Sequence, residues 1–174
     1  MTKHYSNKDA LHALLNFLGD ADDSGSGFSR AMNELAELIP AEPFSKQQLD
    51  VIFQQNAGPT TRATRATILV KAGHSEILPY ANNLLKEENH WNLKLSYAAM
   101  MAQLGDESGY QFLEDFFKRY MRKEEDLKHF DLEELVYVFE EILINERGKA
   151  MLARFCDEAD YHPDWQELEQ PDLP

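Results

Sequence analysis

Two neighbouring stretches decide how this chain folds. They are His74-Ser75-Glu76-Ile77-Leu78-Pro79-Tyr80-Ala81-Asn82-Asn83-Leu84-Leu85 and Ser96-Tyr97-Ala98-Ala99-Met100-Met101-Ala102-Gln103-Leu104-Gly105-Asp106. In the first, Ile77, Leu78, Ala81, Leu84 and Leu85 recur at a helical period. Pro79 falls one turn in, where a missing N–H costs little because first-turn donors have no intrahelical acceptor. The second is alanine-rich, which lets a helix approach its neighbour closely, and it ends in Leu104-Gly105-Asp106. Glycine there supplies the left-handed residue that stops a helix and turns the chain back. The same phrase occurs as Phe17-Leu18-Gly19-Asp20 and Lys71-Ala72-Gly73-His74. Gly73 and Gly105 are 32 residues apart, within the period of helical repeat stacks.

Reading outward, the helical period continues and no stretch alternates as a strand does. Ser6 caps a helix running to Leu18, with Gly19 as its stop. Ser29 opens a second helix with Met32, Leu35, Leu38 and Ile39, closed by Pro40. Ser45 and Gln48 form a capping box ahead of Leu49, Ile52 and Phe53. Pro59 and Thr60 or Thr61 begin a helix that ends at Gly73, and Asn89 leads into the one containing Trp91. Phe112, Phe116, Phe117 and Tyr120 form an aromatic stripe that reads as core. Asp131 caps Leu132, Leu135, Phe139, Ile142 and Leu143, and Asn145 starts the last long helix. The expectation is a single all-α domain of eight or nine helices in antiparallel pairs. Residues 1–57 carry the pattern in degenerate form, residues 58–161 carry the pairs, and 162–174 form an acidic, proline-containing tail anchored by Trp165.

The Leu-Pro first helix and the Ala-rich second helix ending Leu-Gly-Asp resemble one HEAT unit. Phe117-Lys118-Arg119-Tyr120-Met121-Arg122, followed by Asp126-Leu127 and Asp131, resembles the linker and helix of small bacterial HEAT-like proteins. Some of these are immunity proteins of contact-dependent growth inhibition and related toxin systems. The resemblance covers about residues 58–145, and the Arg122–Phe130 loop is longer than a HEAT turn. It implies a short, right-handed HEAT-like α-solenoid and a cognate toxin as partner.

Charge narrows the partner. The chain has 174 residues and a formal net charge of -14, which argues against nucleic acid as direct ligand and for something cationic. Residues 1–105 hold 11 acids and 9 bases, whereas residues 106–174 hold 20 acids and 8 bases. Such an asymmetry is suited to steering a basic partner. Met1 to Leu18 reads as an amphipathic helix and not as a signal peptide or membrane span. Cys156, the single cysteine, fits a reducing compartment. The cytoplasm is therefore expected.

Catalytic chemistry has no visible scaffold. Asp20-Ala21-Asp22-Asp23-Ser24-Gly25 begins like an EF-hand loop, but position 12 is Ala31, so the bidentate acid is missing, and position 8 is Gly27. The six histidines are scattered, with no metal-ligand spacing. Cys156 sits beside Asp157 and Glu158, which raise a thiol pKa and so oppose nucleophilicity. Arg62 and Arg65 read as partners of internal carboxylates more than as a phosphate site. No enzyme, cofactor or metal is expected. The candidate partner-binding residues are Glu133, Glu134, Tyr137, Glu140 and Glu141, on the face of their helix opposite Leu132, Leu135 and Phe139. Asp106, Glu107 and Tyr110 join them from what reads as a loop. The expected function is immunity: an acidic surface covering the cationic cleft of a basic toxin, a nuclease domain. The alternative is a HEAT-like scaffold that binds a peptide or subunit in its groove.

Overall fold

The computed structural model describes residues 5–17, 26–54, 57–127 and 130–160. Within these, the side chains of Ser26, Gly27, Glu134, Tyr137, Val138 and Glu141 are not described. The described chain is all-helical and solenoid-like. Its helices are α1 (Asn7–Asn16), α2 (Ser26–Leu38), α3 (Lys46–Ile52), α4 (Pro59–Lys71), α5 (Leu78–Glu87), α6 (Trp91–Gln103), α7 (Glu107–Met121), α8 (Leu132–Ile142) and α9 (Glu146–Glu158). A single 3-10 turn, Ser75–Ile77, leads into α5.

Helix α6 is the centre. It packs against α4, α5, α7 and α8. A helix with neighbours on every side must be apolar all round, and Leu95, Tyr97 and Ala98 through Ala102 are all buried. The closest approach is between α6 and α7. A Cβ placed on Gly109 would lie 2.5 Å from the Ala102 nitrogen and 2.6 Å from the Ala98 oxygen. Gly109 is therefore a contact residue inside α7 and not part of a loop. The aromatic stripe lies in the core as expected: Phe117 stacks on Phe155 of α9 at 4.0 Å and meets Phe139 of α8 edge-on. One buried apolar cluster runs from Ala10 to Cys156, so the degenerate N-terminal helices share the core of the rest.

The helix ends explain the repeated phrase. At Gly73 (φ +84°) the His74 N–H donates to Leu69 O and the Gly73 N–H to Val70 O. At Gly105 (φ +83°) the Asp106 N–H donates to Met101 O and the Gly105 N–H to Ala102 O. Both are Schellman motifs. A third copy ends α7, where Lys123 takes the left-handed position (φ +55°) and the Glu124 N–H reaches Arg119 O. The caps at Ser6, Ser45, Asp131 and Asn145 form as expected, with the Ser45–Gln48 box reciprocal. Helix α2 starts at Ser26, ahead of the expected Ser29. Residues 18–25, which include the Asp20–Gly25 stretch, and residues 161–174 lie outside the described residues.

One packing element departs from expectation. Arg65 is 6% exposed and hydrogen-bonds no carboxylate among the described residues. Its Nε and Nη2 donate to Leu14 O and Leu15 O in the last turn of α1, at 3.1 and 3.0 Å. Its Nη1 donates to Ile52 O at the end of α3, 2.9 Å away. Carbonyls at a helix C-terminus lack intrahelical donors and carry the negative end of the macrodipole. A single guanidinium from α4 thus satisfies two such ends, and burial lowers its pKa.

Candidate partner-binding surface

The structure splits the candidate residues into two groups with different environments. Asp106 is the N-cap of α7, its Oδ1 accepting the Ser108 N–H at 2.8 Å and the Ser108 hydroxyl. These bonds hold its pKa below the ordinary carboxylate value. Glu107 opens α7 and forms a bidentate pair with Arg147 of α9, at 2.7 and 2.8 Å. The Arg147 guanidinium lowers the Glu107 pKa in turn.

Tyr110 lies in α7, not in a loop, and is 4% exposed. Its hydroxyl donates to Asn145 Oδ1 at 3.0 Å. That oxygen also accepts the Gly148 N–H as the N-cap of α9 (2.7 Å). Asn145 Nδ2 donates to Ala102 O and Gln103 O at the end of α6. Tyr110 and Asn145 therefore form an internal joint between α6, α7 and α9, while the Glu107–Arg147 pair lies exposed beside it and Asp106 caps α7. Tyr110 as a surface anchor is corrected by its burial.

The α8 group has another setting. Asp131 caps the helix through the Glu133 N–H, and Glu133 is exposed. Glu140 is half-buried and faces α9 closely enough to help raise the Cys156 thiol pKa, after burial and together with Asp157. It does not share the open face expected for it. The side chains of Glu134, Tyr137 and Glu141 lie outside those described. The start of α8 lies away from the first group. Asp131 acts on Tyr120, at the far end of α7, where burial first and the Asp131 charge second raise the phenol. Glu107 and Tyr120 are about 20 Å apart along the helix at 1.5 Å per residue.

Most basic residues of this half are already engaged. Arg119 pairs with Glu124 and Asp126, and Arg122 with Glu124. Lys118 and Arg154 meet Glu114, Arg154 also meets Glu158, and Lys149 meets Glu146. With Arg147 on Glu107, at least six of the eight Lys and Arg of residues 106–174 are in ion pairs among the described residues. Helix α8 and its cap carry Asp131, Glu133, Glu134, Glu140 and Glu141 with no Lys or Arg among them.

A concave feature escaped sequence reasoning. A groove of about 560 Å³ lies between α3 and the start of α5, lined by Phe44, Leu49, Pro79 and Tyr80 together with Lys46, Asp50 and Glu76. Tyr80 OH donates to Asp50 Oδ1 at 2.6 Å, and its ring stacks on Phe53. Burial and then Asp50 push the phenol up to about 12, so it remains a donor. Glu76 Oε1 accepts the Phe44 N–H (2.8 Å) and faces His74 Nδ1 (2.7 Å), while His74 Nε2 faces Pro40 O at 3.0 Å. Burial works to raise Glu76, but hydrogen bonds from His74, its own backbone and Phe44 lower it overall. The residues come from segments some thirty positions apart, and no local pattern marks them.

Among the described residues no three His, Cys, Asp or Glu side chains are grouped to hold a metal ion. Among them, too, no helix is long and apolar enough to cross a membrane. Compared with protein-family models, curated proteins and solved structures, the chain finds no match.

Proposed function

We propose that this chain is a protein-binding inhibitor of the immunity type, which captures a basic protein through the acidic side of its C-terminal half. In its narrower form the target is a toxin nuclease domain, encountered in the cytoplasm. The acidic surface would cover the cationic cleft that otherwise takes nucleic-acid phosphates. One observation carries the reading: at least six of the eight cations of this half are held in ion pairs, while the sequence of α8 and its cap has five acids and no base. Two of these, Glu140 and Glu141, sit in or next to the last turn, where the macrodipole disfavours a negative charge. A solvated helix gains from interleaved lysines at i,i+4, and their absence here fits a demand other than stability. A one-signed surface speeds capture of a basic partner, which an inhibitor that must act before its target requires.

The experiment is co-expression with the protein encoded immediately upstream, followed by gel filtration at about 150 mM salt, where screening acts beyond roughly 8 Å. The reading expects a stable complex whose association slows as salt rises, and protection of cells that express the partner. With Glu133, Glu134 and Glu141 all changed to Gln, association should slow at least tenfold while the helical circular dichroism is kept. If no complex forms, the proposal falls. An unchanged association rate in the triple variant would move the contact away from α8.

A further inference from the structure

The groove between α3 and α5 is separate from the acidic helix, and its chemistry specifies an occupant. Its volume, about 560 Å³, suits a ligand of a few residues. Its apolar residues are Phe44, Leu49, Pro79 and Tyr80, and around them stand two carboxylates, Asp50 and Glu76, against one ammonium, Lys46. Each carboxylate is fixed by one oxygen. Asp50 Oδ1 holds the Tyr80 hydroxyl, and Glu76 Oε1 holds the Phe44 N–H and His74. The hydrogen bonds from other described residues use only Asp50 Oδ1 and Glu76 Oε1, leaving Asp50 Oδ2 and Glu76 Oε2 without one. Two immobilised acceptors beside an apolar and aromatic wall match a planar cation on an aliphatic stem. Guanidinium is more weakly hydrated than ammonium and stacks on aromatic faces, so arginine suits such a wall better than lysine.

We propose that this groove binds an arginine side chain presented by an extended peptide segment, with Asp50 and Glu76 receiving the guanidinium and Phe44, Leu49 and Tyr80 covering its stem. The site is independent of the acidic α8 surface, and the two are tested separately.

The test titrates Nα-acetyl-arginine N-methylamide into the isotope-labelled full chain and follows backbone amides by NMR. Saturable shifts confined to Phe44, Asp50, Glu76, Tyr80 and their neighbours are expected, with a dissociation constant on the order of 1 mM. The citrulline analogue, equal in shape but neutral, should bind about tenfold more weakly or not at all. Asp50→Asn keeps an acceptor for Tyr80 at an exposed position and should weaken arginine binding by roughly tenfold with the melting temperature unchanged. Lys46→Gln should strengthen it about twofold, because a like charge is removed. Glu133→Gln on α8 should leave it unchanged. Equal binding of the citrulline analogue, insensitivity to Asp50→Asn, or shifts spread over the acidic surface would each overturn the proposal.

Discussion

The guanidinium of Arg147 lies over the ring of Tyr110, 3.8 Å from its centroid, while the hydroxyl of the same tyrosine reaches Asn145 two residues earlier. Tyr110 is thus held at its face and at its tip by one helix start. Arg147 in turn is held by Glu107, one helical turn before the tyrosine. The arrangement locks α9 onto α7 through groups that composition alone marks as surface charge.

Removing parts of this joint should give graded losses. Tyr110→Phe deletes only the hydroxyl bond and should cost about 1 kcal/mol. Asn145→Ala deletes the α9 cap and both bonds to the α6 carbonyls and should cost about 2–4 kcal/mol. Urea unfolding of the two single variants and the double variant should yield a coupling above about 0.5 kcal/mol, because the two share one bond. Strict additivity would show that the hydroxyl bond contributes nothing.

Gly109 has no room for a methyl group, since the two nearest atoms it would meet are backbone atoms of α6 and the third is the Met101 Cβ. Gly109→Ala should therefore destabilise by roughly 2–4 kcal/mol despite alanine's better helix propensity, worth about 1 kcal/mol the other way. A thermal melt in which Gly109→Ala is neutral or stabilised would mean that α6 and α7 do not approach so closely.

Lys123 occupies the position that glycine fills after α4 and α6. A side chain in the left-handed region costs about 1–2 kcal/mol, partly offset by the greater freedom of glycine in the unfolded chain. Lys123→Gly should accordingly raise stability by about 0.5–1 kcal/mol. The reciprocal change, Gly105→Ala, should lower it by a comparable amount. Chemical denaturation midpoints check both signs.

Glu76 gives the fold an acid-sensitive contact. Its pKa is lowered from 4.5 in the folded chain. A depressed carboxyl contributes stability that is complete above its unfolded value and is lost as pH falls through the folded value. Unfolding free energy should therefore decline as pH drops below about 4.5, and Glu76→Gln should flatten that decline while lowering stability at neutral pH. A variant as acid-sensitive as the parent would place the responsible group elsewhere.

The helices were legible because their signals are local. Ser45 with Gln48, Asp131, Asn145, Gly73 and Gly105 each set a boundary through atoms within a few residues. Asp106, Glu107 and Tyr110 read as a loop, whereas α7 begins at Glu107 and Gly109 within it serves a close approach to α6. Arg65 reads from the sequence as a partner of internal carboxylates. Its acceptors are backbone carbonyls 13 to 51 positions away, which no residue type announces. The acidic surplus was visible in composition, but not how many of the basic side chains would be consumed internally. The groove depends on Asp50 meeting Tyr80 and Glu76 meeting Phe44, pairings that only the folded chain creates.

The three carbonyls gathered by Arg65 also decide what the smallest autonomous piece of this protein can be. A fragment starting at Gly58 would keep every helix that resembles a repeat, yet would strand a permanent positive charge in a hole vacated by α1 and α3. Losing the partners of a buried ion typically costs several kcal/mol, comparable to the whole stability of a small domain. The irregular amino-terminal helices are thus the plug that makes the regular ones habitable, and any shortening or domain grafting has to carry them along.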